Sequence, residues 1–186
     1  MAVLGVVGAG NMGSGIAQKM ATEGFDVILV DQDDEKVARA MATIERTLKE
    51  AVDRGIMRAD KTAAIRERIH GTSRFEDLRD ADLVVEAVFE DRAIKHDVFT
   101  RLEAVCRPDA VLATSSSALT AGSIAEGLRT RARCLVAHPG NPPYLLPVVE
   151  LVPAPFTDTA VVERARAIFE EVGMTPVVVA REIEGF

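Results

Sequence analysis

The 186 residues suffice for one domain with a substantial core, and 22 basic against 29 acidic residues give a net charge of -7. No basic block or aromatic ladder offers nucleic acid a footprint, and no apolar run approaches membrane-spanning length. Met1-Ala2 leads straight into a strand pattern with no room for a signal peptide, and Cys106 and Cys134 stand in no metal-ligand or redox spacing. The expectation is a soluble cytoplasmic protein with reduced thiols, no metal centre, and neither a membrane nor a nucleic-acid partner.

Residues 2–7 form an apolar run that reads as a strand, and Gly8-Ala9-Gly10-Asn11-Met12-Gly13 follows it. Residues 16–21 read as a helix, and a second apolar run, residues 27–30, ends on Asp31, about twenty residues past the glycines. Strand, glycine turn, helix, strand and acid in this register predict a dinucleotide-binding βαβ unit. Gly8 permits the tight turn, Gly10 lets a pyrophosphate reach the backbone, and Gly13 lets helix and strand pack closely. The amide groups of the helix that starts near Asn11 and Met12 face the phosphates. Asp31 accepts hydrogen bonds from the ribose hydroxyls and repels a 2′-phosphate, and Gln32 rather than an arginine comes next. The expected cofactor is NAD rather than NADP.

Residues 33–54 carry Val37, Met41, Ile44, Leu48 and Val52 on one helical face, with Asp33 or Asp34 as N-cap and Gly55 as stop. A second helix is expected over residues 60–69, making a helical hairpin inserted before the next strand, either over a ligand or as a cover for the sheet. Residues 83–88 are a near-continuous apolar run, followed by Glu90 and a helix over 93–105 that ends before Pro108. A strand at 110–113 runs into Thr114-Ser115-Ser116-Ser117, a short helix covers 123–128, and a strand at 133–137 ends at His138-Pro139. The apolar stretch 146–152 carries Glu150, Asp158 caps a helix that runs to 172, Gly173 stops it, and a strand covers 176–180. This alternation predicts an α/β fold, a Rossmann-type, doubly wound and mostly parallel sheet with a helical-hairpin insertion.

In such a sheet ligands bind outside the carboxyl ends of the strands, so the polar residues that end each apolar run are the informative ones. They are the glycine turn, Asp31, Glu90, Ser115 to Ser117, and His138 with Asn141. His138 is the candidate general base for a secondary alcohol whose hydride leaves for a nicotinamide; the plainer alternative is a histidine that holds the Pro139 turn. Glu150 lies in an apolar strand, where a carboxylate needs either a partner, which His138 would supply, or a solvent-facing side. Ser117 either hydrogen-bonds a substrate oxygen or belongs to turn chemistry.

These residues resemble the NAD-binding domain of the L-3-hydroxyacyl-CoA dehydrogenases over essentially the whole chain. The resemblance rests on the glycine signature through Ser14-Gly15-Ile16-Ala17 and on Val85-Glu86-Ala87 followed by Glu90 and Lys95. It implies that Ser117 binds substrate, that His138 is the catalytic base with Glu150 as its carboxylate partner, and that Glu90, Lys95 and Asn141 contact the cofactor. In the helical insertion, Thr47 and Arg54 fall where the family contacts the CoA nucleotide. Serine replaces the asparagine that usually precedes the serine pair, and His138-Pro139-Gly140-Asn141-Pro142-Pro143-Tyr144 is more similar to the L-gulonate (lambda-crystallin) and carnitine dehydrogenase branches. The substrate implied is therefore a 3-hydroxyacyl-CoA, with a small hydroxyacid as the alternative. The expected organisation is one NAD-binding domain over residues 1–186. The family's helical C-terminal domain, which brings a further asparagine, the other cleft wall and the dimer contact, would begin at Glu184-Gly185-Phe186 and is expected to be absent. An isolated module without activity of its own and self-association into a homo-oligomer are the corollaries.

Overall fold

A computed structural model describes residues 2–183, so Met1 and the segment from Glu184 to Phe186, where the helical domain was expected to begin, lie outside it. Eight strands form one sheet in the order β3-β2-β1-β4-β5-β6-β7-β8. They are β1 (Val3–Val7), β2 (Asp26–Val30), β3 (Ile69–Thr72), β4 (Leu83–Glu86), β5 (Val111–Thr114), β6 (Cys134–Pro139), β7 (Val148–Pro153) and β8 (Thr175–Val178). Every neighbouring pair is parallel except β6 and β7. The predicted doubly wound, mostly parallel fold is what forms.

Side-chain alternation explains the two layers of core. Leu83 and Val85 of β4 face α1 (Asn11–Thr22), α2 (Asp34–Asp53), α3 (Ala59–Glu67) and α6 (Thr159–Glu171), among Ile16, Ile44, Ile65 and Phe169. Val84 faces the other way, toward α4 (Arg92–Val105) and α5 (Ala121–Ile124), among Phe99, Leu102, Leu112 and Ile124. Strands covered on both faces read as continuous apolar runs, which is why they were legible. No helix among the described residues is long and apolar enough to cross a membrane. Both cysteines are buried and free.

Three expectations need correction. The second hairpin helix ends at Glu67 rather than 69, and Ile69–Thr72 is an additional strand, β3, parallel to β2. His70, just past the end of that helix, is therefore an exposed strand residue. The insertion is thus the connection between β2 and β3, and a 3-10 turn, Phe75–Asp80, buries Phe75 and Leu78 before β4. The short helix lies at Ala121–Ile124, earlier than residues 123–128, because Thr120 caps it through a hydrogen bond from the Ser123 amide.

Candidate active site

The parallel strands bring their carboxyl ends to one rim. At the first of them, Gly8 has φ +103°, and a side chain there would lie 2.6 Å from the Ala87 carbonyl oxygen. A Cβ on Gly13 would stand 1.7 Å from the Gly8 carbonyl oxygen, so close packing of α1 on the turn requires glycine. Gly10, the N-cap of α1, has no atom within 4 Å of the position its Cβ would take. The backbone is bare there, and the first-turn amides of Asn11, Met12 and Gly13 have no intrahelical acceptor. Asp31 closes the motif: its Oδ2 accepts from the Ala9 amide at 2.7 Å and its Oδ1 from the Gln32 amide at 2.7 Å. A groove of about 520 Å³ runs over Gly8, Gly10 and Asp31 and continues to Lys36, Phe89 and Arg101. An open backbone cradle beside a carboxylate fits a dinucleotide.

The reacting groups lie further along the rim. His138, next to last in β6, stands directly across from Glu150 of β7, in the one antiparallel pairing among the described strands. This register points both side chains to one face, with Nδ1 of His138 2.9 Å from Glu150 Oε2. A carboxylate only accepts, so Nδ1 carries the proton and Nε2 is the basic nitrogen. The Ser117 hydroxyl, from the loop after β5, lies 3.0 Å from that Nε2. Ser117, His138 and Glu150 therefore form one continuous relay. Glu150 is both partner to His138 and open to solvent, its side chain being 42% exposed.

Glu90 and Lys95 are together, but not as bare cofactor contacts. Lys95 is buried and its ammonium reaches Glu86 Oε1 at 2.8 Å, Glu90 Oε2 at 3.2 Å and the Val88 carbonyl at 3.3 Å. Glu90 accepts from the Ser116 hydroxyl and from the Ala118 amide. Burial works to raise its carboxyl pKa, but Ser116 and Lys95 outweigh it and hold the group below the ordinary range. Fully buried Glu86 behaves oppositely, burial pushing its pKa up against the pull of Lys95 and Thr114. Sequence reasoning gave Glu86 no role of its own. Its signal was present all the same, a carboxylate interrupting an apolar run.

Asn141 and Asn11 line a second groove of about 370 Å³ between α1, α2 and the loop that follows β6. Thr47 lines it too, though its hydroxyl donates to the Thr43 carbonyl at 2.9 Å. Arg54 is not brought there: it caps the C-terminus of α2, and the cation that lines the groove is Arg46. Met12 sits in the first turn of α1, half-buried.

Residues 3–183 match the family described as 3-hydroxyacyl-CoA dehydrogenase, NAD binding domain. The chain belongs to that family. The description carries the cofactor with it, so the Gly8 to Asp31 unit is part of an NAD-binding domain. A lambda-crystallin homolog of Bos taurus is 37% identical over 185 residues, 97% of this chain and 57% of the relative. A probable 3-hydroxybutyryl-CoA dehydrogenase of Deinococcus radiodurans is 35% identical over 172 residues, 92% of this chain and 62% of the relative. The crystal structure of 3-hydroxybutyryl-CoA dehydrogenase from Escherichia coli superposes with a TM-score of 0.91 at 32% identity, over 95% of this chain and 38% of that one. The chain thus spans about three fifths of the length of these two sequence relatives.

Proposed function

We infer that this chain is the NAD-binding and proton-handling part of a dehydrogenase that oxidises the C3 hydroxyl of a 3-hydroxyacyl-CoA. The observation that carries the reading is the Ser117–His138–Glu150 relay on the rim of an NAD-binding domain. NAD, when bound, accepts the hydride that leaves C3. The proton is the chain's task. His138 Nε2 takes it from the substrate hydroxyl, occupying the bond that the Ser117 hydroxyl now makes, and Glu150 fixes the tautomer and stabilises the imidazolium. Ser117 then holds the substrate oxygen, and Asn141 and Glu90 border the cofactor.

A helical partner domain, of the kind the resemblance implies, would form the other wall of this cleft and exclude water from it. The row of exposed Leu145, Leu146, Val148, Val177 and Val178 supports a homo-oligomer, which light scattering on the chain would test by showing a concentration-dependent mass. Two buried free thiols suit a reducing, cytoplasmic compartment.

A second reading is supported by the loop after His138. Pro143 packs so close to α1 that a Cβ on Gly15 would lie 3.1 Å from it, and Tyr144 lines the groove between α1 and α2, so this loop shares the Pro-Tyr pair of the small-hydroxyacid branches and lays it against α1. Comparing kcat/KM for 3-hydroxybutyryl-CoA, L-gulonate and carnitine separates the two. In an active form of the protein, His138→Gln should lower kcat by about 10²- to 10⁴-fold while leaving NADH binding within about twofold. Turnover retained by that variant would remove the relay as the proton path. A single turnover by this chain alone would remove the third reading, a binding module without chemistry.

A further inference from the structure

Beneath Ser117 the side chains close a ring. Glu86 Oε1 accepts from the Lys95 ammonium at 2.8 Å, and Lys95 bonds Glu90 Oε2 at 3.2 Å. Glu90 Oε1 accepts from the Ser116 hydroxyl, and the Ser116 amide donates to the Thr114 hydroxyl oxygen at 3.2 Å. Thr114 completes the circuit by donating to Glu86 Oε2 at 2.7 Å. The Val88 carbonyl also accepts from Lys95, at 3.3 Å. Glu86, Lys95, Thr114 and Ser116 are each at most 1% exposed.

The ring joins two loops that the sheet alone does not fix. Glu86 ends β4 and Thr114 ends β5, in register with one another. From Glu86 the ring grips the β4–α4 loop, through the Val88 amide at 2.6 Å as well as through Lys95 and Glu90. From Thr114 it grips the serine loop, where the Ser116 hydroxyl also accepts from the Ala118 and Leu119 amides. Burying a carboxylate and an ammonium is costly, and apolar pairs such as Val84 and Leu112 already hold the same two strands together. What the charges add is direction, because each bond fixes an angle that hydrocarbon packing leaves free.

We propose that Glu86 is a positioning residue of the site: it sets Lys95 and Thr114, and through them places Ser117 opposite His138 and turns half-exposed Glu90 toward the cofactor. This deepens the dehydrogenase reading and rests on it for the role of Ser117. The ring itself does not.

The test uses this chain with NADH as probe, in Glu86→Gln and in the double variant Glu86→Gln, Lys95→Met, with thermal melting and amide hydrogen exchange measured alongside. Glu86→Gln should speed exchange about tenfold in both loops, residues 87–91 and 115–119, and weaken NADH binding about fivefold to tenfold. The double variant, free of buried charge, should recover the melting temperature without recovering loop protection or NADH affinity. NADH affinity restored by the double variant to within twofold of wild type would mean simple charge neutralisation and overturn the proposal, as would an unchanged serine loop in Glu86→Gln. Should Glu86→Gln fail to fold, Thr114→Val cuts the ring at one hydroxyl; normal protection of residues 115–119 in that variant would overturn it equally. A wild-type chain that binds no NADH would sink the dehydrogenase reading while the exchange data still decide the ring.

Discussion

Asp31 shows how much one side chain carries. Its two oxygens tie the glycine turn to the end of β2 through the Ala9 and Gln32 amides, and Lys36 waits 3.8 Å away in the same groove. A ribose would find an acceptor here; a 2′-phosphate would meet a like charge. Asp31→Ser removes both effects, so NADH affinity should fall about tenfold, the loss of one charge-assisted hydrogen bond, while NADPH affinity rises as Lys36 becomes available. Parallel titrations read both, and unchanged discrimination would remove Asp31 as the selector. Two other carboxylates mark the limit of residue-level reading. Glu150 stood out as a carboxylate in an apolar run, with His138 twelve residues away as one possible partner, and the cross-strand register sets the two 2.9 Å apart. Glu86 posed the same question, but its partner sits on the far side of a loop, on α4, and a linear sequence does not say which lysine turns inward.

Elements covered on both faces were legible because burial forces a continuous apolar run, and the helices because one face repeats every three or four residues. β3 was not, for it has four residues, one neighbouring strand and little apolar signal, and it contains Gly71, where a Cβ would press within 2.6 Å of Val37 on α2. The groove between α1 and α2 was missed for a related reason: it exists only once the loop after β6 lies across α1. The turn between β1 and α1 was legible down to the work of single glycines, and these separate cleanly in a pair of substitutions. Gly13→Ala puts a methyl 1.7 Å from the Gly8 carbonyl oxygen, so α1 must move and the melting temperature should drop by roughly 5 °C or more. Gly10→Ala meets no protein atom and has φ -76°, so its melting temperature should stay within about 2 °C of wild type while NADH binding weakens about tenfold or more. Equal loss of binding and stability in Gly10→Ala would mean that this position shapes the turn and not the approach of the cofactor.

Across the whole molecule, the rim that carries the site is balanced by a charge cluster at the opposite ends of the strands. Asp82, just before β4, accepts from the Val3 amide at 2.9 Å, from Arg107 at 2.8 Å and from Arg164 of α6 at 2.9 Å. Both arginines also reach Asp109, so the cluster ties β1, β4, the start of β5 and α6 together. Burial opposes the charge of Asp82, but the Val3 amide and the two guanidiniums outweigh it and hold its carboxyl pKa below the usual aspartate range. A folded-state pKa below the unfolded one means that the stabilisation is complete above the unfolded value of about 4 and drains away as the pH falls through the folded value. The partners are partly solvated, so the contribution is modest. Asp82→Ala should cost about 1–2 kcal/mol at pH 7, roughly 2–8 °C in melting temperature, and should melt with a flatter pH dependence between pH 5 and 3 than the wild type. NADH affinity at pH 7 should not change, because the cluster and the cradle lie at opposite ends of β1. Thermal melts over that range, with one NADH titration, check both statements. A parallel pH slope in the two proteins would assign the acid sensitivity to other carboxylates, and a weakened cradle would mean that strain at the amino ends reaches the site through β1.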